Sequence, residues 1–99
     1  MASFQQHKHL NGVVIPMILS KMGIEVTKET VLGLKELFKK YLGVASTARL
    51  TDREFSLFTK KVMMISAREW GIYIPEKYHE ADNAEEMDLD DYLKMTDYY

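Results

Sequence analysis

The residues in this chain best placed to do chemistry are basic. Arg53, Lys60, Lys61 and Arg68 fall within roughly 100° of arc when positions 52 to 70 are laid out at about 100° intervals. Arg49 lies just ahead of them. Lysine and arginine at that spacing neutralise phosphates along one helix face, and His7 and His9 are further candidates to extend the patch. The same residues also suit an ordinary solvated face, so charge alone does not fix the chemistry. Leu57 and Met64 fall inside the arc. Two apolar side chains among those cations imply that part of the face is covered by another chain or by the tail.

Other chemistries find less support. His7 and His9 flank Lys8, and an i, i+2 pair on a helix points to different faces, so this spacing suits a metal only in an extended segment. His79, beside Glu80, reads as solvated. Gly23, Gly33 and Gly43 are isolated and form no phosphate-cradling loop. Glu54 is better explained as a helix cap than as an acid–base group, and Glu69 as a last-turn residue. With no cysteine there is no thiolate site and no disulfide framework. We therefore expect no catalytic residue, no metal and no cofactor. The expectation is a binding protein rather than an enzyme.

The net charge of −2 hides an asymmetry. Residues 1–77 carry 12 Lys/Arg against 7 Asp/Glu, whereas residues 78–99 carry 1 against 8. A basic body with an acidic end fits a nucleic-acid binder whose tail competes for the same surface or recruits a basic partner. It also fits a basic domain with a solubilising end. Within the tail, Asp88, Asp90 and Asp91 are interleaved with Leu89, Tyr92 and Leu93, apolar residues that a purely solubilising run does not need. These six are the candidate contacts of the rival reading: a protein-interaction module, or an inhibitor of a host defence or DNA-processing enzyme, acting through its tail.

The elements that must position these groups are helices. Ninety-nine residues suffice for one core. Gln5 to Met22 is apolar nearly all round at Val13, Val14, Ile15, Met17, Ile18 and Leu19, which predicts a helix in the middle of the core or at a dimer interface. Pro16 predicts a kink or restart near Ile15, and Gly23 a stop. Thr27 should cap a second helix whose stripe is Val31, Leu34, Leu37, Phe38, Tyr41 and Leu42, ending before Gly43 with Lys35, Lys39 and Lys40 beside that stripe or opposite it. Thr51 and Glu54 form a capping box for a third helix, from Asp52 to Trp70, that buries Phe55, Phe58, Val62, Met63, Ile65 and Trp70. Ile72-Tyr73-Ile74-Pro75 is short, alternating and β-rich, so an extended arm or edge strand is expected to pack on the helices or on a second subunit.

The fold class is thus mainly α: a small three-helix domain over 1–78 with a short extended arm, and an acidic tail over 79–99, disordered or folding on a partner. The longest apolar run, Val13 to Leu19, is too short to span a bilayer. No secretory leader is read in Met1 to His9. A cytoplasmic protein is expected.

Taken in order, Gln6, Gly12-Val13-Val14-Ile15, Ser46-Thr47, Leu50, Glu54-Phe55 and Gly71-Ile72-Tyr73-Ile74-Pro75 resemble the NinB-like recombination proteins of phages and prophages, related to the lambda Orf protein. The similarity covers roughly residues 5 to 76 and concerns the helical part of that family. It lacks the β-rich N-terminal segment of fuller members and adds the acidic run after Pro75. The resemblance implies a non-catalytic, homodimeric DNA-recombination accessory that binds single-stranded DNA or the host single-strand-binding protein.

Overall fold

The computed structural model describes residues 2–80, and the Asp88 to Leu93 cluster lies outside them. The protein is mainly helical, with no strand among the described residues. Its chain forms α1 (Phe4–His9), a π-helical turn (Leu10–Val14), α2 (Ile15–Lys21), α3 (Lys28–Leu42) and α4 (Asp52–Trp70). Short 3-10 turns at Thr47–Arg49 and Glu76–Tyr78 complete it. Since α1, the π turn and α2 run on without a break, three helical rods make up the domain.

Local sequence sets each boundary. The Ser3 hydroxyl accepts the Gln6 N–H at 3.2 Å while the Gln6 side chain accepts the Ser3 N–H at 2.8 Å, a reciprocal cap that starts the helix. Near the start of α2 comes Pro16, which has no N–H to donate and whose ring would press on the carbonyl four residues back in a regular α-helix. The backbone widens ahead of it. Ile15 N–H reaches Leu10 O, five residues back, the bond pattern of a π turn. The predicted restart at Ile15 is therefore met without a sharp break. Past α2 the chain turns at Gly23, whose φ of +76° suits a residue without a Cβ.

Threonines start the other two rods. Thr27 and Thr30 cap α3 reciprocally. At α4 the Thr51 hydroxyl accepts the Glu54 N–H at 3.1 Å and the Glu54 carboxylate accepts the Thr51 N–H at 2.9 Å. Hydrogen bonds from Thr51, backbone first and side chain second, hold the Glu54 carboxyl below its ordinary pKa. Replacing Thr51 by alanine should therefore lower stability by about 1 kcal/mol. A urea midpoint unchanged from wild type would show that this cap does not anchor α4.

The first rod lies at the centre of the core. Leu10, Val14, Ile15 and Ile18 are wholly buried; α1 and the π turn lean on α4, and α2 on α3. The apolar girth that left a core or a dimer interface open is used within one chain. From α4 come Phe55, Phe58, Val62, Met63 and Ile65, and from α3 Val31, Leu34 and Phe38. Trp70, expected in the core, tilts against Phe38 with ring centroids 5.8 Å apart but stays partly exposed at the end of α4.

Two expectations about α3 need correction. Its buried positions are Val31, Leu34, Lys35, Phe38 and Lys39, so two lysines lie on the core face rather than beside it or opposite. Leu37 and Tyr41, assigned to the stripe, are exposed. The helix packs by its period and not by its most apolar arc. Lys35 is only 1% exposed, and burial, with Lys39 nearby adding to it and Glu36 opposing, lowers its ammonium pKa to about 7. Lys39 is paired with Glu36 at 2.7 Å.

The arm is extended without being a strand. Ile72 and Ile74 enter the core while Tyr73 between them faces out, the alternation expected of an extended segment. It packs on its own helices. The Ser66 hydroxyl donates to Ile72 O at 3.0 Å, Lys21 Nζ to Tyr73 O at 2.9 Å, and His79 Nε2 is bonded to Ile74 O at 2.6 Å.

Candidate nucleic-acid interface

Arg53, Lys60, Lys61 and Arg68 are all exposed on α4, and Arg49 is exposed in the turn that leads into it. The helix rises about 1.5 Å per residue, so Arg53 to Arg68 spans roughly 22 Å of axis. These four cations share one outward arc because the opposite arc is pinned to the core by Phe55, Phe58, Val62 and Ile65. Thr59 and Ser66, also buried, turn their hydroxyls back to the carbonyls of Phe55 and Met63, which removes polar groups that would otherwise pull the helix outward.

Leu57 and Met64 stand in the same arc, 52% and 55% exposed. No described residue covers them. On one side of the arc a groove of ≈ 350 Å³ lies between α4 and the arm, lined by Lys60, Met63, Met64, Ala67, Tyr73 and Ile74, with His79 and Glu80 at its edge. On the other side Lys61 and Leu57 border a shallower groove of ≈ 170 Å³ that reaches Leu42, Val44 and Leu50. Lys60 also borders a small polar cavity of ≈ 110 Å³ with Gln6, His9, Ser56, Thr59 and His79. The two central lysines thus each stand at the rim of an apolar groove.

Charge on the face is only lightly offset. Arg68 Nε meets Glu69 at 3.2 Å in an exposed pair, a contact worth little in water. Asp52 and Glu54 sit in the first turn of α4, where they answer the helix dipole.

The histidines do not extend this face. His7, Lys8 and His9 are all buried in the last turn of α1. The His7 ring packs edge-on against Phe55 with centroids 4.5 Å apart, and burial, then the charge of Lys35, lowers its pKa to about 4. His9 Nε2 is hydrogen-bonded to the Tyr78 carbonyl. Burial lowers its pKa, against the opposing pulls of that carbonyl and of Glu80. Their side chains face different partners, as the i, i+2 spacing predicts. Among the described residues no three His, Cys, Asp or Glu side chains come together to hold a metal. His79 is exposed, yet its ring is tied to the arm rather than free in solvent.

Two residues were missed by sequence reasoning. Lys21, at the end of α2, reaches the arm through its bond to Tyr73 O and so helps to fix the backbone there. Tyr73 itself presents an exposed ring there. The alternation Ile72-Tyr73-Ile74 did signal that Tyr73 would face outward; nothing in the sequence pairs it with Lys21, 52 positions away.

Comparison with protein-family models, with curated proteins and with solved structures finds no match to this chain. No described helix is long and apolar enough to cross a membrane.

Proposed function

We propose that this chain is a non-catalytic nucleic-acid-binding accessory that holds single-stranded DNA on the outer face of α4. Arg49, Arg53, Lys60, Lys61 and Arg68 are its phosphate contacts. The observation that carries the reading is that all five are exposed, four on one arc, with Leu57 and Met64 bare among them. Leu57 and Met64 make that face mixed basic and apolar, a surface on which bases can rest beside phosphate contacts. The resemblance to NinB-like proteins supports the more specific role of a cytoplasmic recombination accessory of phage origin, with the host single-strand-binding protein as a second partner. A homodimer belongs to the same proposal. Leu37 and Tyr41, exposed one turn apart on α3, offer it an apolar seam.

Fluorescence anisotropy of a labelled single strand with the full chain, over a series of salt concentrations, tests the reading. Five phosphate contacts limit the slope of log K against log salt to about −3.5. Joint replacement of Lys60 and Lys61 by glutamate should weaken binding and flatten that slope by at least about 1.4. No salt-sensitive binding by the wild-type chain overturns the proposal and moves the search to a protein partner, with the Asp88, Leu89, Asp90, Asp91, Tyr92 and Leu93 cluster as first candidate.

A further inference from the structure

We propose that the groove between α4 and the arm takes one unstacked base of a single strand, with the Tyr73 ring as its stacking platform and Lys60 holding the neighbouring phosphate. The inference rests on the nucleic-acid reading above and adds to it a device that tells single strands from duplexes.

An exposed tyrosine is by itself ordinary on a protein surface. Tyr73 differs in how it is held. The residues on either side of it are buried in the core, and the carbonyls of Ile72, Tyr73 and Ile74 are bonded in turn to Ser66, Lys21 and His79. Three consecutive anchored carbonyls fix the backbone, yet Tyr73 itself is 68% exposed. A ring presented on a fixed backbone loses little freedom when a ligand stacks on it. Across the groove stand Met63, Met64 and Ala67, and the soft thioethers of the two methionines adapt to a flat aromatic surface. The volume of ≈ 350 Å³ lies at the lower end of the roughly 300–1,000 Å³ typical of small-ligand sites, a scale suited to one planar base.

Charge points the same way. Lys60 lines the groove from α4. Glu80 also lines it, so the phosphates pass on the α4 side, toward Lys61 and Arg68. Every base has a π face, so such a site is tolerant of sequence. Paired bases inside a duplex cannot enter it.

The test uses the full chain with an oligothymidylate and with a hairpin duplex, each measured by anisotropy at fixed salt. Tyr73→Ala should weaken oligothymidylate binding by about 5- to 150-fold, leave hairpin binding and the salt slope unchanged, and leave the thermal midpoint close to wild type. Tyr73→Phe, which keeps the ring, should retain wild-type affinity. Equal losses on single strand and hairpin, or no loss on the single strand while the Lys60/Lys61 charge reversal still abolishes binding, overturn the base site and leave the basic face standing. Stronger single-strand binding by Tyr73→Ala also overturns it, because the ring would then be holding a competitor such as the acidic run. If the wild-type chain binds no single strand at all, both proposals fall together.

Discussion

Replacing Lys35 by methionine should stabilise the domain by about 3 kcal/mol at pH 6, less than the full linkage cost of holding an ammonium whose pKa burial lowers from 10.5 to about 7. The linear stem of methionine tracks the aliphatic part of lysine, so the packing against α3's neighbours is retained. What is lost is a cation that burial disfavours. In the folded protein the Lys35 ammonium has a pKa of about 7, against an ordinary 10.5. Between those values the unfolded chain binds a proton that the folded chain does not, so wild-type stability rises as pH climbs through that window. Below pH 7 the destabilisation is complete. Urea denaturation of both proteins from pH 6 to pH 10 should therefore show a gap that narrows with rising pH, with the m-value unchanged. His7 gives an independent readout. Lys35 is one cause of its lowered pKa, so the His7 ring should titrate higher in the variant, still below 6.5 because burial, the larger cause, remains. A variant no more stable than wild type at pH 6, or a gap that does not change with pH, would show that Lys35 is not held in the disfavoured state described.

The second large effect is expected at Phe55. It is wholly buried, forms part of the core where α1 leans on α4, and receives the His7 ring edge-on. Truncation to alanine should cost about 3–5 kcal/mol, from lost transfer energy and the cavity left behind. That is a large share of the roughly 5–15 kcal/mol that a small domain possesses. The variant's urea midpoint should fall in proportion, followed by helical circular dichroism. Phe55→Leu, which keeps most of the volume, should cost under about 1.5 kcal/mol. A cycle with His7→Ala should return a coupling of about 0.5–1.5 kcal/mol for the ring pair. A loss below about 1 kcal/mol for Phe55→Ala, against the range for buried aromatics, would mean that the first rod does not depend on α4 for its seat.

Helix ends were the most legible part of the sequence, because caps are local chemistry. Thr27, Thr51, Gly43 and Gly71 each stand where the helices begin and end. The basic arc of α4 was legible for the same reason that amphipathic faces are: one strong apolar stripe fixes where the rest must point. α3 was harder. Positions 31, 34, 35, 38 and 39 form a regular inward series, but two of them are lysines, and reasoning from hydropathy put them outside and Leu37 and Tyr41 inside. The buried state of His7 and His9 depends on Phe55 and Tyr78, which are remote in sequence and met only through the fold. The anchoring of Tyr73 likewise needs Lys21 and Ser66 to arrive from two different helices. Pro16 marked where the first rod would be disturbed, and only the backbone showed how.

The same disturbance limits how the chain tolerates change in length. A π turn holds one more residue than the α turn it replaces, so the helical wheel of the sequence slips by about 100° across it while the helices on either side keep their facing. His7 and His9 lie on one side of this phase step, Ile15 and Ile18 on the other, and all four face the interior. Deleting one residue from Leu10–Val14 would return the backbone to regular winding with the α1 side chains still facing the interior, while Pro16 would then clash with the turn before it. Keeping the extra residue and losing the proline removes the reason for the wide turn, and regular winding would then swing the α1 side chains by about 100°. The added residue and Pro16 are therefore a compensated pair. Relatives of this chain should keep both or lack both, with α1 facing the interior in either case.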